Sequence, residues 1–130
     1  EIEIAKDNKS GIARCYIWMG NIYDSWGDYK KAVEYYENAR DVFIELDDQE
    51  GIAFCLNNLG NVYQIWSNYA KAIEYLEYYR QAVGGEFSRE DYYQLAFSYL
   101  KNEPKGRSKE TFFNCVMMHS KNPSFFVFSN

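Results

Sequence analysis

At 130 residues, 47% of them apolar and 19% aromatic, the chain is long enough for one packed core. Its net charge is −5, and its one basic concentration (Lys101, Lys105, Arg107, Lys109) sits beside Glu103 and Glu110, which argues against a phosphate-neutralising surface for nucleic acid. No apolar run approaches the length of a membrane span, and residues 1–6 lack the basic start and apolar stretch of a signal peptide, so a cytoplasmic protein is expected.

The chain repeats itself at a spacing of 40 residues: 15 of the 30 positions in 11–40 are identical in 51–80. Gly11, Ile12, Ala13 and Cys15 recur as Gly51, Ile52, Ala53 and Cys55. Gly20, Asn21 and Tyr23 recur as Gly60, Asn61 and Tyr63, and Trp26, Tyr29, Lys31 and Ala32 recur as Trp66, Tyr69, Lys71 and Ala72. A period of this length predicts a stacked array in which each unit buries its apolar face on its neighbours.

Residues 1–10 align at the same offset with 41–50 and predict the end of a preceding repeat's second helix. On that reading the chain begins inside a repeat and belongs to a longer array. Residues 11–50 form the first full repeat. Its first helix, 11–26, carries Ile12, Cys15, Tyr16, Met19, Ile22, Tyr23 and Trp26 on an apolar face at helical spacing. Gly27-Asp28 makes the turn, with Asp28 placed to cap the second helix, 29–46. That helix has Tyr29, Ala32, Val33, Tyr36, Ala39, Val42 and Phe43 on its buried stripe, and a polar connector follows over 47–50.

The second repeat, 51–87, restarts the cycle with helices 51–66 and 69–83 about a turn at Ser67-Asn68. A degenerate third repeat spans 88–119. Ser88 caps its first helix, which runs to about Asn102; Pro104 and Gly106 interrupt the chain, and 108–119 form a weakly matching second helix. Residues 120–130 read as an irregular tail. Cys15 and Cys55 hold equivalent places, which predicts small buried thiols in a reducing compartment rather than a disulfide or a metal site.

Gly20, Asn21, Tyr23, Gly27, Asp28, Tyr29, Lys31, Ala32, Tyr36 and Ala39 resemble the tetratricopeptide repeat. So do Leu59, Gly60, Asn61, Tyr63, Tyr69, Lys71, Ala72 and Leu76. The 40-residue form resembles the repeats of Pins/LGN-type polarity scaffolds. The resemblance implies an all-α fold, a right-handed superhelical solenoid of antiparallel helix pairs whose first helices line a concave groove. Gly20, Gly60, Ala32 and Ala72 are small where paired helices approach closest.

Carried onto this sequence, the partner-binding groove holds Arg14, Ile17, Asn21, Asp24 and Ser25 in the first repeat. Phe54, Asn57, Asn61, Gln64 and Ile65 follow in the second, then Glu90, Tyr93, Phe97, Leu100 and Lys101 in the third. Successive spacings of three or four keep each set on one helical face. Asn21 and Asn61 have two readings, as donors and acceptors for a bound peptide backbone or as ties between repeats. Family members that clamp the acidic tails of chaperones use a Lys/Asn/Asn/Lys/Arg set. Here Asn21 and Asn58 match, but Ile17, Glu90 and Gln94 replace the basic residues, so such tails are not the expected ligand.

No catalytic constellation is legible. His119 is the sole histidine and lies in the poorly matched segment. No glycine-rich phosphate loop is present, and the cysteines lack zinc spacing, so no cofactor or metal is expected. Glu34, Glu37, Glu74 and Glu77 read as a solvated outer face. Trp18, whose repeat equivalent is Asn58, reads as packing against a preceding repeat or, alternatively, as a partner hot spot. The expected function is a non-enzymatic protein-interaction scaffold that binds partner peptides or helices. The alternative is a regulatory segment of a larger enzyme or signalling effector, and self-association through uncapped ends is a further partner class.

Overall fold

A computed structural model describes residues 2–102, with side chains from residue 7 onward. Five α-helices follow one another: α1 (Ile2–Ser25), α2 (Tyr29–Glu45), α3 (Gln49–Ile65), α4 (Tyr69–Val83) and α5 (Arg89–Asn102), with a 3₁₀ turn at Gly84–Glu86. Each helix packs on the next in sequence, which makes an all-α solenoid of helix hairpins. The predicted helix over 108–119, the tail over 120–130, Cys115 and His119 lie outside the described residues.

The hairpins close by one recurring device. Gly27, Asp47 and Ser67, twenty residues apart, all take positive φ, at 81°, 54° and 63°. The amide of the following residue reaches back five positions, from Asp28 to Tyr23, Asp48 to Phe43 and Asn68 to Tyr63, at 2.8–3.0 Å. A left-handed residue with this reverse bond is how a helix satisfies its last carbonyls. The next residue then starts the new helix with its own side chain. Asp28 Oδ1 accepts from the Lys31 amide, Asp48 Oδ1 from Gly51 and Asn68 Oδ1 from Lys71. Ser88 and Asp91 cap α5 reciprocally, Oγ accepting the Asp91 amide at 3.1 Å and Asp91 Oδ2 the Ser88 amide at 2.9 Å.

Close packing explains the glycines between hairpin partners. A methyl group built on Gly20 would come within 2.7 Å of the Tyr36 ring, and one on Gly60 within 2.6 Å of the Leu76 side chain. Ala32 and Ala72 are fully buried on the facing helices. The stripe expected on α2 is observed: Ala32, Val33, Tyr36, Ala39 and Phe43 are buried, with Tyr29 and Val42 packed against them. The aromatic pairs repeat as well, Tyr23 stacking on Tyr35 at 5.5 Å and Tyr63 on Tyr75 at 5.6 Å.

Two expectations need correction. Residues 2–10 do not form a separate helix end before 11. Asp7 stays helical, unlike its equivalent Asp47, and α1 runs unbroken from Ile2. Residues 7–10 carry no left-handed residue to stop it. The second correction concerns the thiols: Cys55 is fully buried, but Cys15 is exposed. α2 covers the face of α3 that holds Cys55, and no described helix covers the matching face of α1.

Candidate functional site

The predicted groove residues sit on α1, α3 and α5, and the structure sorts them into three groups. The first is removed from the surface. Ile17 is only 9% exposed and belongs to the core cluster with Ala13, Val33 and Tyr36, so it turns onto α2 and lines no groove.

The second group is polar, and four of its six side chains are engaged within the protein. Asn21 Oδ1 accepts the Tyr36 hydroxyl at 2.5 Å, tying α1 to α2. Asn61 Oδ1 accepts from Gln94 Nε2, and Gln64 Nε2 donates to the Gln94 carbonyl at 3.4 Å, so an amide cluster ties α3 to α5. Ser25 Oγ donates to the Ile22 carbonyl at 2.7 Å. Asp24 is half-buried, and burial raises its carboxyl above the ordinary value. Asn57 is half-buried too, and its Oδ1 has no hydrogen-bond partner. Asn61 thus bonds across to the next repeat through its side chain, whereas Asn21 bonds within its own.

The third group is open. Phe54 (52%), Ile65 (58%), Tyr93 (48%) and Phe97 (41%) are exposed apolar side chains, and Arg14, Glu90 and Lys101 are exposed charges. Phe97 meets Tyr69 edge-on at 6.1 Å and carries the Lys101 ammonium 5.6 Å from its ring centre. Leu100 is half-buried. The open face is therefore apolar, with charge of both signs at its edges.

Gln94 escaped the sequence reading as a tie. Its place corresponds to Asn58 and Trp18 in the earlier repeats, and only the shortened 36-residue step to α5 brings it level with Asn61. On the outer side, Tyr75 donates to Glu37 Oε2 at 2.9 Å and receives Arg40 Nη1 at 3.5 Å, while Tyr99 donates to Glu77 Oε2 at 2.6 Å. Glu37 and Glu77 thus brace neighbouring helices, beyond the plain solvated face expected for them. Among the described residues, no three His, Cys, Asp or Glu side chains gather to hold a metal ion, and no helix is long and apolar enough to cross a membrane.

This arrangement of stacked hairpins, small residues at the close contacts and a first-helix face left open defines a helical-repeat interaction module. The family model of the tetratricopeptide repeat matches residues 8–82, more than half of the chain, and the chain belongs to that family. A search of curated proteins finds no match. Tetratricopeptide repeats are protein–protein interaction modules, which makes protein partners the general class for this chain.

Proposed function

We propose that the face shared by α1, α3 and α5 binds an extended or helical segment of a partner protein, with Phe54, Ile65, Tyr93 and Phe97 as its apolar anchors. The observation that carries this reading is the division of labour on that face. Its amides at Asn21, Asn61 and Gln64 are spent on internal bonds, while its large apolar side chains stay in solvent. Clustered aromatic side chains are the usual energetic centres of protein interfaces. The affinity then comes from apolar contact.

Acidic tails do not suit this face, because Ile17 is buried, Glu90 is exposed and Gln94 is bonded to Asn61. A cytoplasmic scaffold of the polarity-protein type is the finer reading that the 40-residue unit supports.

The test is selection of peptide ligands from a displayed library on the intact chain, followed by titration against variants. Phe54→Ala and Tyr93→Ala are expected to weaken the selected peptides at least about tenfold each, as truncation of an interface anchor does. Peptides that bind equally well to both folded variants would place the ligand elsewhere.

A further inference from the structure

The face of α3 that meets α2 carries Ile52, Cys55, Leu59 and Val62, and the last three are almost wholly buried. The 36-residue step to α5 sets Ser88, Asp91, Leu95 and Ser98 in those places, where Leu95 shares a core cluster with Leu76 of α4. Three of the four have become polar along one seam. Ser98 is as buried as Val62, at 0% exposure, and its Oγ has no hydrogen-bond partner. Such a hydroxyl gives up water when the seam closes and gains nothing in return. The facing helix is slighter as well, since Ala82 and Val83 stand where α2 has Val42 and Phe43.

Polar ties carry much of the contact that remains. Tyr79 donates to Asp91 Oδ2 at 3.5 Å, Tyr99 donates to Glu77 Oε2 at 2.6 Å, and Gln94 donates to Asn61. Water replaces such bonds at little net cost when they break. The connector differs too. Three-residue turns join the earlier helices, whereas residues 84–88 join α4 to α5. Gly84 holds φ at 56°, and a methyl group on either Gly84 or Gly85 would have no neighbour within 4 Å. Two adjacent glycines in open space turn freely.

We propose that the array opens at this seam: α5 leaves α4 as a unit, turning about Gly84 and Gly85, while α1–α4 stay packed. Tyr93 and Phe97 ride on α5 and Phe54 and Ile65 on α3, so opening parts the two halves of the binding face. A ligand that grips both halves binds the closed form alone and slows the opening. That consequence rests on the groove reading; the opening itself does not.

Hydrogen exchange on the intact chain tests the opening. Amides of residues 92–100 are expected to exchange at least about tenfold faster than those of residues 56–62 in α3. Ser98→Ala removes the unpartnered hydroxyl without adding bulk. It is expected to slow exchange in α5 at least about fivefold and to leave α1–α4 unchanged, where alanine's helix propensity alone supplies about twofold. In a Cys115→Ser background, the thiol introduced by Ser98→Cys is expected to react at least about tenfold faster than Cys55, although both places are fully buried. Peptides selected on the groove are expected to slow that reaction at saturation, and peptides that bind but leave it unchanged would overturn the coupling. Equal exchange in α3 and α5, equal reaction of the two thiols, a Ser98→Ala effect of about twofold or less, or a slowing shared by all five helices would overturn the opening. Failure to select any peptide bears on the groove reading alone, since exchange and labelling need no ligand.

Discussion

Gly51 lies directly against the ring of Phe43, and a methyl group on its α-carbon would fall within the ring's van der Waals surface. Its repeat equivalent, Gly11, has nothing within 4 Å. The same substitution therefore has opposite signs at two places that the sequence presents as identical. Gly51→Ala forces a fully packed aromatic to move and is expected to cost about 1–3 kcal/mol, reduced in part by the better helix propensity of alanine. Gly11→Ala meets open space in mid-helix and is expected to stabilise by about 0.5–1 kcal/mol. Thermal melts at low protein concentration check both. Two shifts of the same sign would contradict the packing described for α2 on α3.

The repeat made much of this fold legible. Helix ends fell within two residues of expectation from α2 onward, because Asp28, Asn68 and Ser88 are capping residues in plain view. Other features were hidden for physical reasons. Gly27, Asp47 and Ser67 make one and the same turn, but their side chains share nothing that reveals it. Ile17 follows the helical spacing of the groove set, yet the same spacing suits the core, and only packing on α2 decides between them. Gln94 pairs with Asn61 across 33 residues, a distance at which no local pattern reports contact. Cys15 and Cys55 are the plainest case: equivalent places in the repeat and opposite burial, because burial belongs to the neighbouring helix.

The period-twenty turn leads to a backbone prediction. Ser67 holds φ at 63° without the freedom of glycine, and its replacement by glycine is expected to stabilise the chain by about 1 kcal/mol. Gly27 holds φ at 81° with no neighbour within 4 Å, so Gly27→Ala is expected to cost about 1 kcal/mol through backbone strain alone. At Asp47 the gain from glycine is expected to be smaller, because Asp47 Oδ1 accepts from Gln49 Nε2 at 3.0 Å and that bond is lost. Denaturant midpoints of the three variants check this order, and a destabilised Ser67→Gly would refute the shared turn.

Alkaline pH is expected to destabilise the chain over the range in which its buried phenols and thiol ionise only in the unfolded state. Burial, with Asp24 and Cys55 nearby, pushes the Tyr36 phenol from 10.0 up to about 12. Burial and its hydrogen bond to Glu37 push Tyr75 to about 12 as well, and burial pushes the Cys55 thiol from 9.0 to about 12. Above pH 9 the unfolded chain loses these protons while the folded chain keeps them. The unfolded state then binds fewer protons, so stability falls as pH rises. The contribution is complete below about pH 9 and is lost on approach to about pH 12, at up to about 1.4 kcal/mol per pH unit for each group. Unfolding midpoints measured from about pH 8 to pH 11.5 should show this fall, shallower in Tyr75→Phe. A flat profile would mean that these groups are solvated in the folded state.

The two equivalent thiols offer a direct reading of which helix faces are covered. In a Cys115→Ser background and at protein concentrations of a few micromolar, a small thiol reagent is expected to label Cys15 at the rate of an open cysteine. Cys55 is fully buried under α2, and its thiol is held protonated, so it reacts only when the array opens. Its rate is expected to lie at least about a hundredfold below that of Cys15, and mild denaturant should close the gap. Gly51→Ala, which loosens α2 from α3, should raise the Cys55 rate and leave that of Cys15 unchanged. Equal rates in native buffer would mean that α2 does not seal the face of α3.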